Sequence, residues 1–168
     1  MVRVREVEPG DADALRRLRA DALSRHPAAY ATADHEEAAL TPADWRVRAT
    51  PTAHATIWLA ESAGGALAGL AGIRGDGRAR TGHVAELWGV YVAPDHRGLG
   101  VGDALVGSAV QWARAHGFAR IKLNVDTENA GAARLYLRHG FVVHGREPDV
   151  IRVGDDRRDE YLMHLVLR

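Results

Sequence analysis

Leu87-Trp-Gly-Val-Tyr-Val-Ala-Pro-Asp-His-Arg-Gly-Leu-Gly-Val-Gly-Asp103 decides the reading of this chain. An apolar strand candidate, residues 83–92, runs into a loop over residues 94–102 with glycines at 98, 100 and 102, and a helix starts at once. The first turn of a helix has unpaired N–H groups and a positive dipole end. Glycines let an anion approach the backbone without meeting Cβ atoms. Together they make an anion site suited to a pyrophosphate. A P-loop needs Gly-Lys-Ser/Thr here, but Asp103 follows Gly102. A Gly-x-Gly-x-x-Gly dinucleotide fingerprint fails in both registers, because its third glycine falls on Asp103 or on Leu105. From the spacing alone, a glycine-rich turn with no ligand stays open beside the anion site.

Working outward, residues 2–7 alternate apolar and charged, as a short strand does. Pro9-Gly10 breaks it, and Asp11 or Asp13 then caps a helix. Ala14, Leu15, Leu18, Ala22 and Leu23 form that helix's apolar stripe, and Arg16, Arg17 and Arg19 are expected to face mostly outward. Residues 26–50 are less regular, although Thr41-Pro42-Ala43-Asp44 reads as a cap with proline at the first helical position. Strand candidates at 56–60 and 66–73 flank a Gly64-Gly65 hairpin turn. After the loop helix, with Leu105, Ala109, Trp112 and Ala113 in one stripe and a left-handed cap at Gly117, residues 118–125 return as a strand. Residues 129–139 form a second helix closed by Gly140, and residues 141–145 and 160–167 are the last strands. No repeat or linker interrupts this order, so one α/β (α+β) domain over residues 1–168 is expected.

The bulk properties are those of a soluble globular protein. Of 168 residues, 46% are hydrophobic and 26% charged. Lys+Arg and Asp+Glu are both 22, and the missing basic excess argues against a nucleic-acid partner. No apolar run approaches the roughly 18 residues that span a bilayer, and the opening residues lack the apolar core of a signal peptide. A cytoplasmic protein with no membrane partner is the expectation. With no cysteine there is no disulfide, thiolate metal site or Cys nucleophile. The nine histidines never pair at i, i+4, so no metal is expected. None of Ser24, Ser62 and Ser108 has the Gly-x-Ser-x-Gly context of a hydrolase.

Arg97-Gly-Leu-Gly100-Val-Gly102 resembles the Gln/Arg-x-x-Gly-x-Gly/Ala signature of the GCN5-related N-acetyltransferase (GNAT) family. Residues 2–15 resemble that family's first strand and helix. Asn129-Ala-Gly-Ala-Ala-Arg-Leu-Tyr136 resembles its later helix, with an Asn near the start and a Tyr seven residues on. The resemblance covers most of the chain and is weakest over residues 26–50. It implies a mixed, mostly antiparallel, twisted sheet, flanked by helices and splayed open between the strands at 83–92 and 118–125. It implies acetyl-CoA as cosubstrate, with its pyrophosphate on the loop Arg97, Gly98, Leu99, Gly100, Val101, Gly102 and Asp103. The pantetheine arm is expected along Val90, Tyr91 and Val92, with Asn129 and Tyr136 also holding the coenzyme. Gly89 fits a bulge beside Val90. Family members often form homodimers.

Acetyl transfer from a thioester to an amine needs a neutral amine, a stabilised oxyanion and a protonated leaving thiolate. A lysine-type amine needs about 4–5 kcal/mol to be neutral at pH 7, an α-amine only about 1. Glu86 is the expected base, on one face of its strand with Trp88, Val90 and Val92 by alternation; a solvated Glu at a strand end is the plain alternative. The resemblance also points to a strand position where some members carry a glutamate base, but Asn124 stands there and cannot accept a proton. Tyr136 is the expected acid, and the N–H of Val90 the oxyanion donor. His83 and His96 are expected near the cleft as surface histidines. Loops near 30–45 and 149–158 are expected to shape the acceptor pocket. The run Asp34-His-Glu-Glu37 reads as a solvated helix face rather than a contact for a cationic substrate. The expected function is acetylation of a primary amine on a small molecule or peptide by direct attack in a ternary complex. The alternative is an acyl-CoA-binding sensor or interaction module without catalysis.

Overall fold

The computed structural model describes residues 2–167; Met1 and Arg168, the ends of the expected 1–168 domain, lie outside the described residues. The alternation at the start of the chain builds β1 (Arg3–Glu6), which pairs antiparallel with β2 (Ala55–Glu61). Gly65, at φ +79°, turns the chain, and its N–H donates to the Ser62 carbonyl at 2.9 Å, joining β2 to β3 (Leu67–Gly75). Then follow β4 (Val84–Val92), β5 (Arg120–Asp126), β6 (Val142–Val153) and β7 (Asp156–Val166). The seven strands form one sheet in the order β1-β2-β3-β4-β5-β7-β6. Every pairing is antiparallel except β4 with β5.

That parallel pair is short. It holds over Val84↔Arg120, Ala85↔Ile121 and Glu86↔Lys122, and beyond these residues the two strands part. The sheet therefore splays into a V between them, as the resemblance implies.

The helices are α1 (Ala12–Arg25), α2 (Asp34–Ala38), α3 (Pro42–Arg48), α4 (Val101–Ala115) and α5 (Ala130–Arg138). The apolar stripe of α4, from Val101 and Leu105 to Ala109 and Trp112, buries against one face of the sheet, with Ile73, Leu87, Ile121 and Met163. Helices α1 and α3 cover the other face, where Leu15, Leu18 and Trp45 meet Ile57, Leu70 and Tyr91. At the start of α3 the Thr41 hydroxyl accepts from the Asp44 N–H at 3.2 Å, while the Asp44 carboxylate accepts from the Thr41 N–H at 2.8 Å. This reciprocal cap stops the irregular segment where its sequence predicts. Gly117 and Gly140, at φ +76° and +86°, end α4 and α5 in the left-handed conformation expected of them.

Three expectations fail for physical reasons. Arg19 does not face outward: it is 3% exposed, on the buried side of α1, and its guanidinium donates to Glu37 at 2.7 Å. Glu37 is correspondingly not solvated but 5% exposed, and it also accepts from Arg48 at 3.0 Å. A charged side chain enters a core when it brings its counter-ion, and no hydrophobic pattern announces that. The last two strands are also far longer than 141–145 and 160–167. β6 and β7 form a hairpin bridged by Arg146–Asp159 and Arg157–Asp149 ion pairs, with Arg152–Asp149 along β6. Its outer part is mostly charged, with Ile151 and Val153 as a short apolar alternation too brief to mark a long strand.

Among the described residues, no helix is long and apolar enough to cross a membrane.

Candidate active site

The V between β4 and β5 opens into a cleft of about 1030 Å³. One end is the loop before α4. Gly98 and Gly100 sit at φ +73° and +77° with open space where a Cβ would stand, so their role is conformational. Gly102 has a different reason: a Cβ there would lie 3.1 Å from Leu135 on α5. No side chain caps α4, and its first-turn N–H groups face the cleft without intrahelical partners. The Asp103 carboxylate turns away to Arg138, at 2.9 Å, and His139, at 3.4 Å; the Arg138 hydrogen bonds hold it below the usual carboxylate range. Leu99 is exposed at the loop tip, whereas Val101 is buried beneath it.

Arg97 is tied down twice. Its Nε donates to the Val92 carbonyl at 3.0 Å, and a terminal nitrogen lies 2.7 Å from His26 Nε2. A guanidinium only donates, so His26 Nε2 accepts and the ring is neutral. Burial, then the Arg97 and Arg25 charges, hold His26 below its ordinary value. Across the cleft, Asn129 accepts from the Ala132 N–H at 3.1 Å, capping α5 and leaving its amide hydrogens free for a ligand.

Gly89, at φ +64°, makes the expected bulge. Gly89 and Val90 together face the single residue Ala71, between the pairs Leu70↔Tyr91 and Gly72↔Trp88. The extra residue reverses the alternation. Trp88 stays on the α1 face, its ring against Gly72, but Val90 and Val92 move to the α4 face with Leu87. The expected common face of Glu86, Trp88, Val90 and Val92 is therefore broken in two. Tyr91 turns its side chain into the α1-side core, where its hydroxyl donates to Asp21 at 2.5 Å; burial and that bond push it up to about 12. The Val90 carbonyl accepts from the Tyr30 hydroxyl at 3.2 Å. This carbonyl and that of Val92 each keep a second lone pair for a ligand.

Two phenols line the V. Tyr136 comes from α5, buried against Phe141 with ring centroids 5.9 Å apart. Burial first, and then Tyr30, push its hydroxyl above the usual range. Tyr30 comes from the other face, beneath the Arg19 guanidinium at 5.1 Å, and burial pushes it up to about 12. Both are neutral donors at pH 7.

Glu86 does not reach the cleft, whose lining runs from Leu87 to Val92 without it. Its carboxylate, 38% exposed, pairs with Arg74 at 2.9 Å across β3 and β4. Asn124 does line the cleft, and His96 lines it where His83 does not. Sequence reasoning passed over His26 and Glu160 and placed Arg19 on the outer face. The only trace of Tyr30 was as the edge of a pocket-shaping loop. Each acts through a partner distant in the chain, so no local spacing marks it. Among the described residues, no three His, Asp or Glu cluster as metal ligands.

A strand entering a glycine loop and a helix N-terminus, beside a splayed parallel pair, is the frame of an acyl-coenzyme acetyltransferase. The chain belongs to the GNAT acetyltransferase family, whose model matches residues 15–141. It is 33% identical over 145 residues to the mycothiol acetyltransferase of Thermobispora bispora, covering 83% of this chain and 46% of that protein. The chain spans about half or less of the length of the curated relatives it matches. Among solved structures, a GNAT-family acetyltransferase of Streptococcus pneumoniae superposes with a TM-score of 0.86 at 28% identity, covering 100% of both chains. A GCN5-related N-acetyltransferase of Kribbella flavida gives 0.83 at 28% identity, over 99% of this chain and 98% of that one.

Proposed function

We propose that this chain transfers the acetyl group of acetyl-CoA to a primary amine of a small molecule or peptide, by direct attack in a ternary complex. The observation that carries the reading is the continuity of one cleft from the N–H groups of Gly98–Asp103, through the V, to the paired phenols Tyr30 and Tyr136. In this reading the pyrophosphate takes the α4 N-terminus, with Arg97 and Asn129 beside it. The pantetheine arm runs along Val90 and Val92, and the Val90 N–H meets the developing oxyanion, a contact worth about 3–4 kcal/mol where it has been removed elsewhere. Tyr136 donates its proton to the leaving thiolate. Glu86 serves as base only if the acceptor opens its pair with Arg74.

One relative is named a mycothiol acetyltransferase, while in this reading the acceptor of this chain is set by the α1–α3 face. The test is thiol release from acetyl-CoA in the presence of a panel of primary amines. Tyr136→Phe lowers kcat about 100-fold or more while leaving the KM for acetyl-CoA near wild type. Unchanged kcat removes Tyr136 from the chemistry.

A further inference from the structure

Glu160 on β7 is a buried carboxylate one residue behind the cleft wall, held by Asn124 and not itself part of the lining. It is 8% exposed, and among the described residues it has no cationic partner and one side-chain hydrogen bond, from the Asn124 amide, which donates to Oε2 at 2.9 Å. Asn124 itself lines the cleft. The other carboxylate oxygen has no partner among the described residues, and the 8% exposure of the residue leaves it incompletely enclosed.

The strand register fixes what surrounds this group. Asp126 faces it directly from β5 and Glu147 directly from β6. The Pro27–Ala29 turn, which packs over β5 and β6, brings no charge, and the adjoining His26 is turned to Arg97. On β7 itself Arg158 is two residues away but engaged by Glu128 and Asp156. A structural carboxylate in a sheet is ordinarily answered by a cation. Here two like charges answer it instead. Burial, together with Glu147 and Asp126, pushes it above the usual carboxylate range, and the Asn124 bond opposes them. Such an environment strengthens the carboxylate's hold on a proton, as a proton acceptor requires.

Its position suits the same role. Leu123 and Val125 turn to the α4 side of the sheet, so Asn124 lies on the opposite face by alternation, the face on which Trp88 packs. Glu160 shares that face through its hydrogen bond. Glu86 and Glu160 thus lie on the same face of the sheet, both just outside the cleft lining, but Arg74 takes Glu86, whereas Glu160 is joined to the lining through Asn124 and no cation among the described residues takes it.

We infer that Glu160 is the general base of the transfer, reached by the acceptor across one water, and that Asn124, at the cleft wall, holds its carboxylate in place. The inference rests on the acetyltransferase reading above. The acceptor's ammonium gives one proton to Glu160, and the freed lone pair forms the N–C bond at the acetyl carbon. The C–S bond then breaks, and the thiolate takes the Tyr136 proton. The second N–H proton restores Tyr136, and Glu160 releases its proton to solvent. The products are the amide, free thiol and one proton.

Glu160→Gln keeps the shape and an oxygen for the Asn124 amide, so the fold is retained. Using acetyl-CoA with tyramine, putrescine and a tripeptide with a free N-terminus, the variant loses about 10²–10⁴-fold in kcat. Its calorimetric affinity for acetyl-CoA is unchanged. The acid limb of the wild-type kcat/KM profile disappears in Glu160→Gln. In Asn124→Ala it moves to higher pH, because the lost hydrogen bond favoured the charged form. If Glu160→Gln turns over like wild type, or if Glu86→Gln is the more damaged variant, Glu160 is not the base and the acetyltransferase reading stands. If wild type neither binds acetyl-CoA nor acetylates any amine, both readings fall together.

Discussion

Replacing Glu37 by alanine leaves the buried Arg19 guanidinium without its counter-ion. The Glu37 carboxylate accepts from Arg19 at 3.2, 3.1 and 2.7 Å and from Arg48 at 3.0 Å. Arg19 is held under helices α2 and α3, and its second terminal nitrogen is already buried without a partner. Removing the anion leaves a guanidinium in the core with no counter-ion, which costs about 3–5 kcal/mol. A chain of this length loses roughly 2–4 °C of Tm per kcal/mol, so Glu37→Ala melts about 6–20 °C below wild type. Differential scanning calorimetry at neutral pH reads this directly. The acid dependence checks the cause. Burial pushes Glu37 up, but the hydrogen bonds and charge of Arg19, with those of Arg48, pull it further down, so its net value is lowered. A lowered folded value contributes stability above the unfolded carboxylate range, and that stability is lost as pH falls through the folded value. The gap between wild type and Glu37→Ala therefore narrows on acidification. The Arg19 guanidinium also lies over the Tyr30 ring, so the variant's KM for the acceptor rises. A drop of only a degree or two at neutral pH, or a gap that widens in acid, refutes the buried-pair account.

Two further perturbations probe the frame of the site. Gly72→Ala puts a Cβ 2.2 Å from Trp88 Cε2, an overlap that forces the ring off its place and costs about 1–3 kcal/mol in urea unfolding; an unaltered midpoint contradicts the packing described. His26 is held below its ordinary value in the folded chain, so the unfolded chain binds its proton at higher pH and stability falls as pH drops from about 6.5 toward the folded value. His26→Gln flattens this part of the stability curve and makes acetyl-CoA affinity less pH-sensitive there, because Arg97 no longer faces an imidazolium. An identical slope in both proteins removes His26 from the Arg97 anchor.

The frame of the site is legible because it obeys local rules. The glycine loop, the cap at Asn129, the bulge glycine and the left-handed caps each depend on neighbours within a few residues, and each stands where the spacing requires. The face assignments around Glu86 fail because one bulge residue reverses the alternation, and alternation is the only evidence a strand sequence has about faces. Arg19, Glu37, Tyr30 and Glu160 were misread or passed over because their meaning is relational. Arg19 and Glu37 are 18 residues apart, and Asn124 and Glu160 are 36 apart. Neither member of a pair looks buried without the other. The β6–β7 hairpin hides for a related reason: most of its outer half is charged and held by ion pairs, two of them across the strands.

The central claim is that the loop of Gly98–Asp103 and the V beside it hold the coenzyme. Calorimetric titration of acetyl-CoA into the purified protein, with NAD and ATP as controls, tests it most directly. The account predicts selective micromolar binding of acetyl-CoA, weakened in Gly100→Val, whose side chain disfavours the left-handed conformation that the loop adopts at φ +77°. No binding of acetyl-CoA, or equal binding of all three ligands, contradicts it.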